Sequence, residues 1–314
     1  MEEPLIISNT PIPRGKTTRL DLAIAKLPSH TQIEIPVIIS RARKEGPTLL
    51  LLSGVHGDEI NGVEIVRRLI DQKLTRPTTG TVICIPVLNV FGFINYTREV
   101  PGGKDVNRSF PGQKRGSLAS RVAYNLMKEI IPHVDYVLDY HTGAESRSNF
   151  PQVRGSLKDN RVLELAKVFG SPFILNSPTR ASSLRRELLK RDVPMLLFEG
   201  GESMRFDERA IQAGMNGAVR VMKHLGMTKA EADELTGEPI VFDESKWVRA
   251  RSSGLFHSRV KNGEEVTRKQ EIGFITDPYA TFRTRVRATE SGYVIGLNNK
   301  PVVSQGDALF HIAY

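Results

Sequence analysis

Apolar and polar positions change their pattern twice along the 314-residue chain. Residues 20–24 and 32–35 alternate in short strand-like pieces. Residues 48–53 then carry four consecutive leucines, a continuous apolar stretch that suits a strand buried on both faces. An amphipathic segment follows over 60–70, where Val63, Val66 and Ile70 recur at helical spacing and Arg67 breaks the stripe. A second buried strand is expected over 81–87. The alternation continues with a helical pattern over 117–131, a strand over 135–140 and helices over 159–169 and 182–191. A strand over 193–198 and a long helix over 206–225 complete it. Ser182 is placed to cap the helix it precedes. Strands alternating with helices predict an α/β fold with a mixed, mostly parallel sheet flanked by helices.

After Leu225 the pattern changes. Residues 226–239 are polar and acidic, without a strong apolar period, and suit a connector. Beyond them, short strands are separated by Gly, Asn and Asp. Ser253-Gly254-Leu255-Phe256 is echoed by Ser291-Gly292-Tyr293-Val294, and residues 270–275 by 307–312, an offset of about 37. Two copies are too few for a solenoid. They predict instead a small all-β domain of two similar halves. The expected division is 1–235 and 236–314.

Composition adds one unusual feature. Forty-four Lys and Arg against 35 Asp and Glu give a net charge of +9. Such a balance raises nucleic acid, an anionic membrane or an acidic substrate as partners. The basic residues are spread along the chain, only 7% of residues are aromatic, and no stacking motif is present, so nucleic acid is not expected. The longest purely aliphatic stretch is Leu49–Leu52, far short of the ~20 residues that cross a bilayer. Met1-Glu2-Glu3-Pro4 has no basic leader character. A cytoplasmic protein without membrane contact is the expectation. The lone Cys84 lies in an apolar run and reads as a buried inert thiol. Gly15-Lys16-Thr17 is no phosphate loop, because Thr10 stands where the first glycine belongs.

Four polar features sit at or just after predicted strand ends. In Val55-His56-Gly57-Asp58-Glu59 an imidazole and a carboxylate three residues apart follow a buried strand and open a helix, a pairing that a zinc ion with an open position accepts. Taken alone, the same acids would serve simply to complement a helix dipole. His141 ends a second strand in the same sense, and ligands in open α/β sheets collect outside the carboxyl ends of strands. Glu199, between Phe198 and Gly200, has no packing role and suits general acid–base work. The fourth feature is the loop over 95–112, with Arg98, Lys104, Asp105, Asn107 and Arg108. An arginine there can hold a carboxylate or stabilise an oxyanion.

In this order, His56-Gly57-Asp58-Glu59, Asp105-Val106-Asn107-Arg108, His141 and Glu199 resemble the succinylglutamate desuccinylase/aspartoacylase family, over roughly residues 45–225. The resemblance implies a zinc carboxypeptidase-like fold, with 1–235 as the catalytic domain. It implies one Zn²⁺ per chain on His56, Glu59 and His141, with Glu199 as general base. Arg98 would polarise the scissile carbonyl, and Asn107 and Arg108 would bind a substrate carboxylate. Either Arg185 or Arg186 matches a further arginine found in parts of the family. Residues 236–314 resemble the β-domain of a bacterial subgroup, similar to a barrel-sandwich hybrid. No Met-Lys-Met turn joins its halves, where residues 277–281 stand instead, so it is expected to act as a lid or homo-oligomer contact rather than a carrier. Arg283, Arg285 and Arg287 alternate on one strand face, read as solvated.

The activity so implied is hydrolysis of the amide bond of an N-acyl amino acid or similar small acylated carboxylate by metal-activated water. The same centre would also serve a metallocarboxypeptidase acting on peptides. A degenerate, non-catalytic binding protein is disfavoured by the intact set of four.

Overall fold

Leu49, Leu50, Leu51 and Leu52 are fully buried because their strand lies mid-sheet with a core on each face. Leu50 and Leu52 enter one core, Leu49 and Leu51 the other. The computed structural model describes residues 5–26, 29–235 and 237–314. The reading at Met1–Pro4 and the first residue of the expected β-domain, Thr236, lie outside them.

Short strands β1 (Ile6–Ile7) and β2 (Thr10–Pro11) precede a long hairpin of β3 (Lys16–Lys26) and β4 (Gln32–Arg41). Next come β5 (Lys44–Ser53), α1 (Ile60–Asp71), β6 (Thr79–Ile85) and the short α2 (Val90–Asn95). The helical pattern over 117–131 is not one uniform helix. α3 (Leu118–Asn125) widens into a π-turn over Leu126–Ile130 and tightens into a 3-10 turn over Ile131–His133, where Pro132 can donate no backbone hydrogen bond. β7 (Tyr136–Gly143), β8 (Arg147–Gly155), α4 (Asn160–Phe169) and β9 (Phe173–Asn176) follow. α5 (Leu184–Lys190), β10 (Met195–Glu202) and α6 (Glu208–His224) complete the α/β part. Ser183, not Ser182, caps α5: Ser182 has a left-handed φ of 54°, whereas Ser183 is extended and its hydroxyl accepts from the Arg186 amide.

The remaining strands are β11 (Ile240–Phe242), β12 (Ser245–Arg249), β13 (Gly254–Ser258), β14 (Glu265–Val266) and β15 (Glu271–Thr276). β16 (Arg283–Arg287), β17 (Gly292–Asn298), β18 (Val302–Val303) and β19 (Ala308–Ala313) end the chain. The main sheet runs β12-β19-β17-β8-β10-β7-β5-β6-β4-β3. Its centre, β10-β7-β5-β6, is parallel, and both margins are antiparallel. α1, α4 and α6 cover one face; α3 and α5 cover the other. The mixed sheet with flanking helices and an all-β C-terminal part is the fold expected.

The C-terminal strands continue the main sheet, with Gly296 of β17 opposite Asn149 of β8. A second sheet, β16-β15-β13-β18, shares a core of Phe256, Ile272, Ile275, Phe310 and Ile312 with this extension. The internal repeat is visible in the pairing. Leu255 opposes Thr276 between β13 and β15, as Tyr293 opposes Ala313 between β17 and β19. Cys84 is buried, and burial pushes its thiol up to about 12, as befits an inert side chain. Among the described residues no helix is long and apolar enough to cross a membrane.

Gly57, in the turn from β5 to α1, lies against α2. A Cβ there would sit 1.8 Å from the Gly92 carbonyl carbon, so the turn can follow its path only without a side chain. Gly57→Ala should therefore lower the unfolding free energy by about 1–3 kcal/mol in a urea titration. An unchanged midpoint and slope would show that this contact constrains nothing.

Candidate metal centre

The turn after β5 buries His56, Asp58 and Glu59 completely or nearly so. Glu59 precedes α1 but makes no side-chain cap to it. Its carboxylate turns inward: Oε1 lies 2.7 Å from His56 Nδ1, and Oε2 lies 2.8 Å from His141 Nδ1 and accepts from the Thr142 amide. The two Nδ1 atoms are 3.2 Å apart. His56, Glu59 and His141 thus offer ligand atoms within 4.8 Å of one another.

The far side of each ring is also held. His141 Nε2 donates to Asp139 Oδ2 at 2.9 Å, and His56 Nε2 to Asp105 Oδ1 at 3.2 Å. Asp139 is two residues before His141 on β7, so both side chains leave the same face. A neutral imidazole that donates through Nε2 keeps its lone pair on Nδ1. Two such lone pairs and a carboxylate oxygen then meet at one point, as metal ligands with carboxylates behind them do. Arg98 supplies positive charge to the same cluster. Its Nη1 donates to Glu59 Oε1 at 3.0 Å and to His56 Nδ1 at 3.1 Å, while Nη2 donates to Asp105 Oδ2 at 3.0 Å.

The pKa directions show how strongly the cluster attracts positive charge. Burial by itself lowers the His141 value, but Asp139 and Glu59 raise it well above that of an ordinary imidazole. His56 is raised as well, burial being outweighed by Glu59 and Asp105. Burial would raise Glu59, yet the two histidines hold it well below the usual carboxylate range. The cluster thus draws positive charge to its centre, which protons on the two imidazoles satisfy and which a divalent ion would take up in their place, releasing those protons.

Glu199 stands beside His141, its Cα partner across the parallel β10–β7 pairing. Its Oε2 accepts from Asn149 Nδ2 at 2.7 Å, and Arg154 Nη1 is 3.6 Å from Oε1. Asn61 ties this strand end to α1, donating to the Glu202 carbonyl and accepting from the Asp207 amide. All seven residues singled out by sequence line one cavity of about 960 Å³: His56, Glu59, Arg98, Asn107, Arg108, His141 and Glu199. Asn107 Oδ1 accepts from the Leu184 amide, which joins its loop to α5. Burial lowers the Arg108 pKa.

Of the two arginines on α5, Arg185 lines the cavity, whereas Arg186 points to Thr179 at the surface. Arg185 is brought down to about 10 by burial and by Arg154, and its Nη1 is buried without a hydrogen-bond partner among the described residues. Sequence reasoning missed Asp105 and Asp139 as supports, Asn149 and Arg154 beside Glu199, and the C-terminal wall. That wall includes Trp247 and His311, opposite each other on β12 and β19 with stacked rings 4.5 Å apart. The spacing of Asp139 and His141 was a usable signal; the wall left none, since its strands reach the site only through long-range pairing.

A family model of the succinylglutamate desuccinylase/aspartoacylase catalytic domain matches residues 45–225. The chain is 30% identical over 302 residues to the N-alpha-acetyl-L-2,4-diaminobutyric acid deacetylase of Halomonas elongata, covering 90% of this chain and 86% of that protein. The crystal structure of a succinylglutamate desuccinylase/aspartoacylase from Rhodobacter sphaeroides matches with a TM-score of 0.84 at 26% identity, over 98% of this chain and 99% of that one. The product-bound ectoine utilization protein EutE (DoeB) of Ruegeria pomeroyi shares the fold, with a TM-score of 0.85 at 21% identity, over 100% of this chain and 99% of that one.

Asp139→Asn removes the carboxylate behind His141 while keeping its shape. Metal affinity, measured by competition with a chromophoric chelator, should fall roughly 10–100-fold. Unchanged affinity would show that this pairing does not tune the cluster.

Proposed function

Because the chain belongs to the succinylglutamate desuccinylase/aspartoacylase family, we propose that it is a zinc-dependent deacylase that hydrolyses the amide bond of an N-acyl amino acid. The observation that carries this reading is the His56, Glu59 and His141 cluster abreast of Glu199 on one arginine-rich cavity. A zinc ion on those three residues would polarise the acyl carbonyl and bring the pKa of a bound water towards ~7.

The chain's own groups then have distinct tasks. Glu199, oriented by Asn149, takes a proton from the attacking water and returns it to the leaving amine. Arg98 stabilises the negative charge that grows on the carbonyl oxygen. Asn107 and Arg108 orient the substrate carboxylate, with Arg185 as a further cation on the same cavity. Residues 1–235 form the catalytic domain, and 236–314 a β-domain whose Trp247 and His311 wall favours small substrates over long peptides. Asp243, Glu244 and Asp307 line the same cavity as the arginines, so its lining carries both signs of charge. An N-acetylated diamino acid, the compound named for the Halomonas relative, presents both signs as well.

Metal analysis and a panel of N-acetyl, N-succinyl and diamino-acid substrates, read as release of free amine, test the reading. Bound zinc with turnover of an N-acyl amino acid is expected, and the absence of both metal and turnover would refute the reading. Glu199→Gln should keep the metal and lower kcat roughly 10²–10⁴-fold. Near-normal turnover in that variant would remove Glu199 from the role of base.

A further inference from the structure

We propose that the C-terminal β-domain carries a second binding site, for a small multivalent oxyanion of the phosphate class. Arg285 and Arg287 of β16 are exposed, in keeping with a solvated strand face, and they also border a concavity. With Arg249 and Arg251 they line a cavity of about 590 Å³ that, among the described residues, no Asp or Glu lines. Arg285 reaches Glu271 at 3.2 Å, and Arg249 donates to the Gly306 carbonyl at 2.8 Å. The guanidinium groups of Arg251 and Arg287 have no side-chain hydrogen bond or ion pair among the described residues. The Thr289 hydroxyl in the same lining is buried and, among the described residues, has no hydrogen-bond partner.

Guanidinium groups that border one concavity repel each other, and an anion placed between them relieves that repulsion. The planar fork of each suits an oxyanion with several acceptor oxygens. A phosphate-class ion brings that number of oxygens with about two negative charges, and a hydroxyl complements it. The cavity has no aromatic side chain in its lining, so it lacks the stacking platform that single-stranded nucleic acid uses. Arg249 and Gly306 line this cavity and the larger one alike. An anion held here therefore sits against the wall of the larger cavity.

Isothermal titration of the full chain with inorganic pyrophosphate, at fixed ionic strength, tests the site. One pyrophosphate per chain should bind, and the double variant Arg251→Ala/Arg287→Ala should weaken it at least tenfold. The thermal midpoint of that variant without anion should match the parent, which excludes misfolding. Arg108→Ala, in the other cavity, should leave the binding unchanged. Absence of binding to the parent, equal binding to the double variant, or loss only in Arg108→Ala would each overturn the proposal.

Discussion

Two imidazole nitrogens and a carboxylate face one another at hydrogen-bonding distance inside the protein, with further carboxylates behind both rings. An assembly with that much negative charge, taken out of water, would cost several kcal/mol per ion without compensating positive charge. Arg98 provides part of it, donating to Glu59, His56 and Asp105 at once. Much of the neighbouring structure serves to keep the donors together. Gly57 lets the turn lie on α2, Asn61 fastens α1 to the end of β10, and Asp105 binds its own loop to the His56 ring.

The sheet sets the distances. β5 and β7 are adjacent and parallel, so the residues following one and ending the other reach the same edge. β10 is next in line, which puts Glu199 abreast of His141. β8 then brings Asn149 to Glu199, and β17 and β19 carry the row on to Gly296 and His311. The edge that carries the site thus runs without a break into the C-terminal strands, which close the cavity as part of the same sheet. The net charge of +9 also finds its place here. From Ile240 on there are eleven basic and eight acidic residues, a modest excess, and what matters is its arrangement around two cavities.

The central strands were legible because both faces are covered, which writes an unbroken apolar run into residues 48–53 and 81–87. The site residues were legible because motif and strand end coincide at His56, His141 and Glu199. β8 was not read as a strand. One side of it faces the cavity, so Asn149 and Arg154 take positions where an apolar residue would have marked it, and Pro151 interrupts the pattern. The six-residue α2 is too short to show helical periodicity. Trp247 and His311 could not be assigned to the site from sequence, because a pairing between β8 and β17 across about 150 residues leaves no local trace.

Crystals grown with one equivalent of zinc and measured at the zinc absorption edge would test the ligand assignment most directly. A single anomalous peak is expected between His56 Nδ1, His141 Nδ1 and the Glu59 carboxylate, within reach of Glu199. A peak elsewhere in the chain, or none at full zinc equivalence, would contradict the metal centre and the deacylase chemistry built on it.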